Sequence, residues 1–273
     1  MNKRSFLKSL GLLSFITIPG SFSLDDWLAK YEDSPPAELA SDEDFWEGIR
    51  KGYRLKSDYI NLENGYYCFL PEETLENLIR HIREINYQGS YYMRTVQYEN
   101  KKKVAAKVAE MLGCPADEII ITRNTTESLD LIIGGFDWKA GDEAIMAEQD
   151  YPAMLDMFKH MARRFGVVNK LVSVPMDPSS DEEIVQLYAD AITEKTKLLM
   201  VSHMINITGH ILPVKKICDM AHNRGVQVMA DGAHAVAHFT FKRDNCCFMS
   251  VISMAKFFCG YFHHIKIKIK FLL

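Results

Sequence analysis

Several groups along this chain could do chemistry together. Asp231 closes the apolar run "VQVMAD", and His234 follows three residues later in "DGAHAVAH". A carboxylate at the end of a buried strand is costly unless a cation pairs with it. Thr125 and Thr126, in "RNTTES", stand where a helix opens. Hydroxyls and backbone N–H groups there meet the positive end of the helix dipole, a place for an anion such as phosphate. Tyr151, in "QDYPAML", offers a ring that can lie on a flat ligand. Asn206, in "MINITGH", is a neutral donor and acceptor beside a Thr208-Gly209 turn, and Lys256, in "SVISMAKFFCG", is a primary amine able to bond to a carbonyl carbon. Singly, each has an ordinary explanation: a helix cap, a Tyr–Pro helix entry, a loop asparagine bonding its own backbone, a lysine near the chain end.

Their joint meaning depends on the elements that position them. Strand-like runs "DYINL", "EIIITR", "EAIMAE", "NKLVSV", "KLLMVSH", "VQVMAD" and "CCFMSVIS" alternate with stretches of helical period. The helices are "PEETLENLIRHIREI", "VQYENKKKVAAKVAEMLG", "TESLDLIIGGF", "YPAMLDMFKHMARRFG", "SDEEIVQLYADAI" and "PVKKICDMAHNRG". Strands alternating with helices of about three turns predict βαβ units and a mainly parallel sheet covered on both faces. In such a sheet, ligands sit beyond the carboxyl ends of the strands. Thr125, Tyr151 and Asn206 each follow a predicted strand, and Asp231 closes one.

Two ligands compete for this edge. A zinc site would gather His203, His210, Asp231, His234 and His238, the last two histidines with the i, i+4 spacing of one helix face. A flat phosphorylated heteroaromatic base would instead use the helix N-terminus, the ring, the amide and the carboxylate, each at a different strand end. Pyridoxal 5'-phosphate is such a base, with Asp231 pairing its protonated ring nitrogen. That reading also requires a lysine beyond the next strand, which is where Lys256 stands. The metal alternative, a hydrolase built on His203, His234 and His238, accounts for the histidines alone.

Taken in order, "TRNTTES", "QDYPAML", "VSHMINITGHILPV" and "DGAHAVAHF" resemble the class V aminotransferases, among the fold-type I pyridoxal-phosphate enzymes. The branch most resembled is that of isopenicillin-N-epimerase-like proteins, relatives of the cysteine desulfurases. The resemblance implies an α/β fold, the three-layer αβα large domain of that fold type. It implies cofactor contacts from Thr125 and Thr126 (phosphate), Tyr151 (ring), Asn206 and His234 (3-hydroxyl), Asp231 (ring nitrogen) and Ser253. It further implies Lys256 as the Schiff-base residue and Asn64, in "LENG", near an amino-acid substrate. Epimerase, aminotransferase or lyase chemistry would share removal of the α-proton by Lys256. A desulfurase is the less expected member, since its reactive cysteine belongs to a part of the family pattern that this chain lacks. Family members are usually homodimers.

The pattern then breaks. The histidine that precedes the family's lysine is Ala255 here, and beyond Gly260 the tail "YFHHIKIKIKFLL" matches nothing in the family. The glycine-rich loop and the small C-terminal domain are expected to be missing, as after a frameshift or read-through. A non-catalytic fragment is therefore the alternative to an active enzyme. The expected organisation is an export signal over 1–23, an N-terminal arm over 24–56, an incomplete cofactor-binding domain over 57–260 and a non-family tail over 261–273.

The start "MNKRSFLKSLGLLSFITIPGSFS" has a basic opening, a weakly apolar run and then small residues, without an A-x-A site. "KRSFLK" resembles a twin-arginine signal with Lys3 for the first arginine, which implies a periplasmic destination; a cytoplasmic protein with an uncleaved helix is the alternative. The apolar run is too short to span a bilayer. Across 273 residues, 48% are hydrophobic and 25% charged, and the net charge is −4. Those values fit a soluble globular protein and give no electrostatic reason for a nucleic-acid partner. The six cysteines show no CxxC spacing, so they are read as isolated thiols.

Overall fold

The computed structural model describes residues 22–62, 67, 69–236 and 250–251, the last two by backbone alone. These residues fall into two compact units that divide between Met111 and Leu112.

The first unit is helical. Residues 24–56, expected to be a polar arm, instead carry α1 (Leu24–Lys30), α2 (Pro36–Ala40) and α3 (Glu43–Lys51). Ser23 and Asp42 cap α1 and α3 by accepting from the N–H groups of Asp26 and Phe45. Leu24, Leu28, Leu39 and Phe45 form a small core. A chain of rings runs beside it, Trp27–Tyr31–Phe45–Trp46, with centroids 5.3, 5.0 and 5.2 Å apart. Gly48 is required for this packing, because a Cβ there would lie 1.9 Å from the Trp27 ring. The i, i+4 pair Trp27 and Tyr31 was the apolar signal hidden in a polar stretch. Farther on come α4 (Glu72–Gln88), a π-helical turn (Tyr92–Val96) and α5 (Gln97–Leu112).

"DYINL" is not a strand. Ile60 and Leu62 are 81% and 87% exposed, and the segment pairs with no strand among the described residues. "EIIITR" also fails as a paired strand: Ala116–Glu118 is a turn of 3₁₀ helix and Ile119–Thr122 runs on unpaired among the described residues. Alternation and β-branching favour an extended chain, but a strand exists only where a neighbour accepts its hydrogen bonds.

The second unit is the predicted α/β structure. Its elements are α6 (Thr125–Gly135), β1 (Glu143–Ala147), α7 (Pro152–Phe165), β2 (Val168–Val172), α8 (Asp181–Ala191), β3 (Thr196–Ser202), α9 (Val214–His222), β4 (Gln227–Asp231) and β5 (Ser250–Val251). The order β2-β1-β3-β4-β5 is parallel throughout. Strands β1, β3 and β4 bury both faces, with alternate residues dividing between two cores. Ile145, Ala147, Leu199, Val201, Val228 and Ala230 face Ile184 and Tyr188 of α8 and Ile217, Cys218 and Ala221 of α9. Ala144, Met146, Leu198, Met200 and Met229 face Leu129, Ile132 and Ile133 of α6 and Met154, Phe158 and Met161 of α7. This is a three-layer αβα arrangement. Edge strand β2 is the exception to full burial, with Val168 and Leu171 47% and 57% exposed.

Local chemistry agrees with these boundaries. Ser180 caps α8 by accepting from Glu183 N–H, and α7 stops at Gly166, whose φ of 74° is the left-handed conformation that glycine adopts without strain.

Candidate active site

In a parallel sheet, all carboxyl ends lie on one edge. Ala147, Ser202 and Asp231 end β1, β3 and β4, and the segments after them carry the residues singled out from the sequence.

At α6 the N-cap is Asn124, not a threonine: its side chain accepts from Glu127 N–H at 2.8 Å. Glu127 in turn accepts from Arg123 N–H at 2.7 Å and pairs with the Arg123 guanidinium at 2.9 Å. The capping duty being met, Thr125 and Thr126 are left in the first turn, whose N–H groups have no carbonyl a turn earlier in the helix. Thr125 is buried, and its Oγ1 has no hydrogen-bond partner among the described residues. Thr126 is half-buried.

Tyr151 occupies the cap position of α7, with Pro152 opening the helix. Its ring is half-buried and packs against the α6–α7 core. Asn206 lies exposed in a tight turn closed by Gly209 N–H donating to Ile205 O at 2.8 Å, where Gly209 has φ of 73°. His203 precedes it, half-buried, and burial lowers its pKa. His203 N–H donates to Asp231 O at 2.8 Å, which ties the turn to the end of β4.

Asp231 is 7% exposed. Its Oδ1 accepts from Ala233 N–H at 2.9 Å, and burial raises its pKa. Among the described residues no lysine or arginine forms an ion pair with it. His234 follows in the next turn, half-buried. Lys256, Ser253, Asn64 and His238 lie outside the described residues. Among those described, no three His, Cys, Asp or Glu side chains gather as metal ligands.

Asp150 was not anticipated. It is 3% exposed; Ser202 Oγ lies 2.6 Å from its Oδ1, and Ala147 N–H donates to its Oδ2 at 2.8 Å. Burial pushes its pKa up to about 7, opposed by the bonds from Ser202 and Ala147 and assisted by the Asp231 charge. In sequence, an aspartate before Tyr-Pro reads as a turn residue, and only the fold shows that it is enclosed.

The doubly covered parallel sheet, with an open helix N-terminus and a buried carboxylate at its carboxyl edge, has the fold of the fold-type I pyridoxal-phosphate enzymes. The chain belongs to the aminotransferase class-V family, whose model matches residues 70–260. A probable cysteine desulfurase of Synechocystis sp. is 27% identical over 206 residues, covering 70% of this chain and 48% of that protein. Isopenicillin N epimerase of Streptomyces clavuligerus is 25% identical over 190 residues, with the same coverage of 70% and 48%. Among solved structures, the Escherichia coli cysteine desulfurase CsdA has a TM-score of 0.57 and 24% identity, covering 71% of this chain and 50% of that one. The cystine C–S lyase C-DES, in a mutant with glycine covalently linked to its pyridoxal-phosphate cofactor, has a TM-score of 0.55 and 24% identity over 62% of this chain and 45% of its own. These structural likenesses carry the fold. The chain spans about half the length of the curated relatives it matches. Desulfurases match alongside epimerases, so the branch expected from the sequence has company.

The residues present fit the family's cofactor. Pyridoxal phosphate brings a dianionic phosphate, a flat ring and a cationic ring nitrogen. Thr125 Oγ1 is a buried hydroxyl lacking a partner among the described residues, at a helix end that favours anions. Asp231 is a buried carboxylate to which those residues supply no cation. Both are groups whose desolvation such a ligand would offset.

Proposed function

We propose that this chain is the cofactor-binding part of a pyridoxal-phosphate-dependent enzyme acting on an amino acid, by epimerase, aminotransferase or lyase chemistry. The observation that carries the reading is the Asp231 carboxylate, buried at the end of β4 with a raised pKa and no cationic partner among the described residues. A protonated ring nitrogen is the cation it would hold. When bound, the cofactor withdraws electrons from the substrate's α-carbon, which makes the α-proton removable.

The chain's own residues would then divide the work. Thr125 and Thr126 hold the phosphate through hydroxyl and N–H groups at the start of α6. Tyr151 would take the ring, and Asn206 and His234 the 3-hydroxyl. Lys256 would be the amine that holds the cofactor, with Ser253 as a further contact. The same Lys256 amine would take the α-proton of the substrate and return it. Asn64 contacts the substrate.

Incubating the chain with pyridoxal phosphate, reducing with borohydride and mapping the peptides tests the reading. A reduced adduct on Lys256, lost in Lys256→Ala, supports it; wild-type protein without any adduct overturns it. Exchange of the α-proton of amino acids with deuterium oxide, followed by NMR, separates a working site from one that only binds. We also propose export through the twin-arginine-like start, which fractionation of cells carrying the natural N-terminus and a Lys3/Arg4 double alanine variant would test.

A further inference from the structure

Among the described residues, Asp150 is the most enclosed carboxyl group at this edge, and no role described above falls to it. It sits between the ends of β1 and β3, held by Ala147 N–H and Ser202 Oγ. The titratable groups that bear on it are Asp231 of β4 and Tyr188 of α8. Tyr188 is fully buried, and its hydroxyl has no partner among the described residues. No lysine or arginine forms an ion pair with Asp150 among those residues. Ser202, which bonds Asp150, is paired with Asp231 in the β3–β4 register.

Two carboxylates so enclosed cannot both be anions without a large cost in desolvation and mutual repulsion. One proton removes most of that cost, and the hydrogen bonds decide where it sits. As a neutral acid, Asp150 donates from Oδ1 to Ser202 Oγ, while Oδ2 still accepts from Ala147 N–H. No bond is lost. The Ser202 proton is then released for a second acceptor, and Asp231 is the carboxylate in register with it.

We propose that Asp150 is a positioning residue which, through Ser202, holds the proton that lets Asp231 in the neighbouring strand remain the anion of the pair. Burial drives Asp150 to bind that proton up to about pH 7. The consequence for the cofactor rests on the function proposed above: an ionised Asp231 keeps its cation, and a second charge behind it is avoided. The place of the proton does not depend on cofactor binding.

Infrared spectroscopy of the whole cofactor-free chain tests this, because a buried carboxylic acid absorbs apart from carboxylates. The wild-type protein should show an acid band at about pH 6 that fades with a midpoint near neutrality. The band should be absent in Asp150→Asn. It should persist in Asp231→Asn with a lowered midpoint, since repulsion is relieved, and in Ser202→Ala with a raised one, since Ser202 bonds the anion more strongly than the neutral acid. A band that survives Asp150→Asn and vanishes in Asp231→Asn would place the proton on the other carboxyl and overturn the proposal. If Asp150→Asn does not fold, the directions of the two midpoint shifts decide, and opposite directions refute it. Wild-type protein that shows this band yet takes up no pyridoxal phosphate counts against the proposed function alone.

Discussion

Ser202 Oγ stands 2.6 Å from Asp150 Oδ1, and both residues are almost shut off from solvent, at 5% and 3% exposure. The burial of Asp150, which outweighs that bond, makes the stability of the fold depend on pH in a stated direction. Asp150 has an ordinary value near 3.8 when exposed in the unfolded chain and about 7 when folded. Between those values the folded state binds more protons than the unfolded state, so stability falls as pH rises and levels off above about 7. The whole span is worth about 4 kcal/mol. From about pH 5 to pH 7 the melting temperature should fall by about 5–10 °C, with Asp150→Asn removing most of the slope. Calorimetry across that range checks it; a wild-type melting temperature that rises over the same interval contradicts the assignment.

Asp231 should be more important to binding than to folding. Asp231→Asn keeps the shape and can still accept from Ala233 N–H, while removing the charge that a ring cation would meet. Cofactor affinity should fall by about 100- to 1,000-fold, in line with the loss of one member of a buried charged pair. The melting temperature of the cofactor-free protein should not fall, because an unpaired buried carboxyl has been taken away. Fluorescence titration with pyridoxal phosphate and a thermal scan of the same sample read both quantities.

The α6–α7 side of the sheet depends on Phe158, which is wholly buried among Met146, Met154 and Met200. Phe158→Ala removes its transfer energy and leaves a cavity that the sheet behind it cannot close, at a cost of about 3–5 kcal/mol. The same truncation at Phe165, which is 37% exposed at the end of α7, should cost less than about 1 kcal/mol. Urea unfolding followed by circular dichroism gives the two values. Equal losses would mean that the packing of α7 is misread.

The parts of this fold legible in the sequence were those that local chemistry decides. Ser180 before "DEE", Gly166 after "RRF" and the apolar runs of β1, β3 and β4 place helices and buried strands without reference to anything distant. "DYINL" and "EIIITR" misled because a strand is a relation between two segments, and their composition reports one side of it. Residues 24–56 misled in the opposite sense. Their charges surround a few apolar residues, and Leu24, Leu28, Leu39 and Phe45 form a core only once three short helices meet, with the rings of Trp27 and Tyr31 beside Phe45. Of the candidate residues, Tyr151 was legible as lying just past a strand and Asp231 as closing one, whereas Thr125 was reached through "EIIITR", which pairs with no strand among the described residues. Asp150 was not legible, because nothing in "EQDYP" says that Ser202, 52 residues later, will close over it.

Thr125 offers the sharpest separation of binding from stability. Its Oγ1 is buried without a partner among the described residues, so the folded chain bears the cost of desolvating a hydroxyl. Thr125→Val replaces that hydroxyl with a methyl of similar volume at the first position of α6, leaving the Asn124 cap in place. The cofactor-free protein should therefore gain about 1 kcal/mol, while affinity for pyridoxal phosphate, and for inorganic phosphate as its competitor, should drop about tenfold. Asn124→Ala gives the reverse pattern. It loses the bond to Glu127 N–H and costs about 1 kcal/mol of stability, with a smaller effect on phosphate, because the cap faces its own helix. Thermal scans with and without phosphate on the two variants show whether the cap and the anion site are held by different residues. A Thr125→Val protein that loses stability and keeps its affinity would return that threonine to an ordinary part of the helix end.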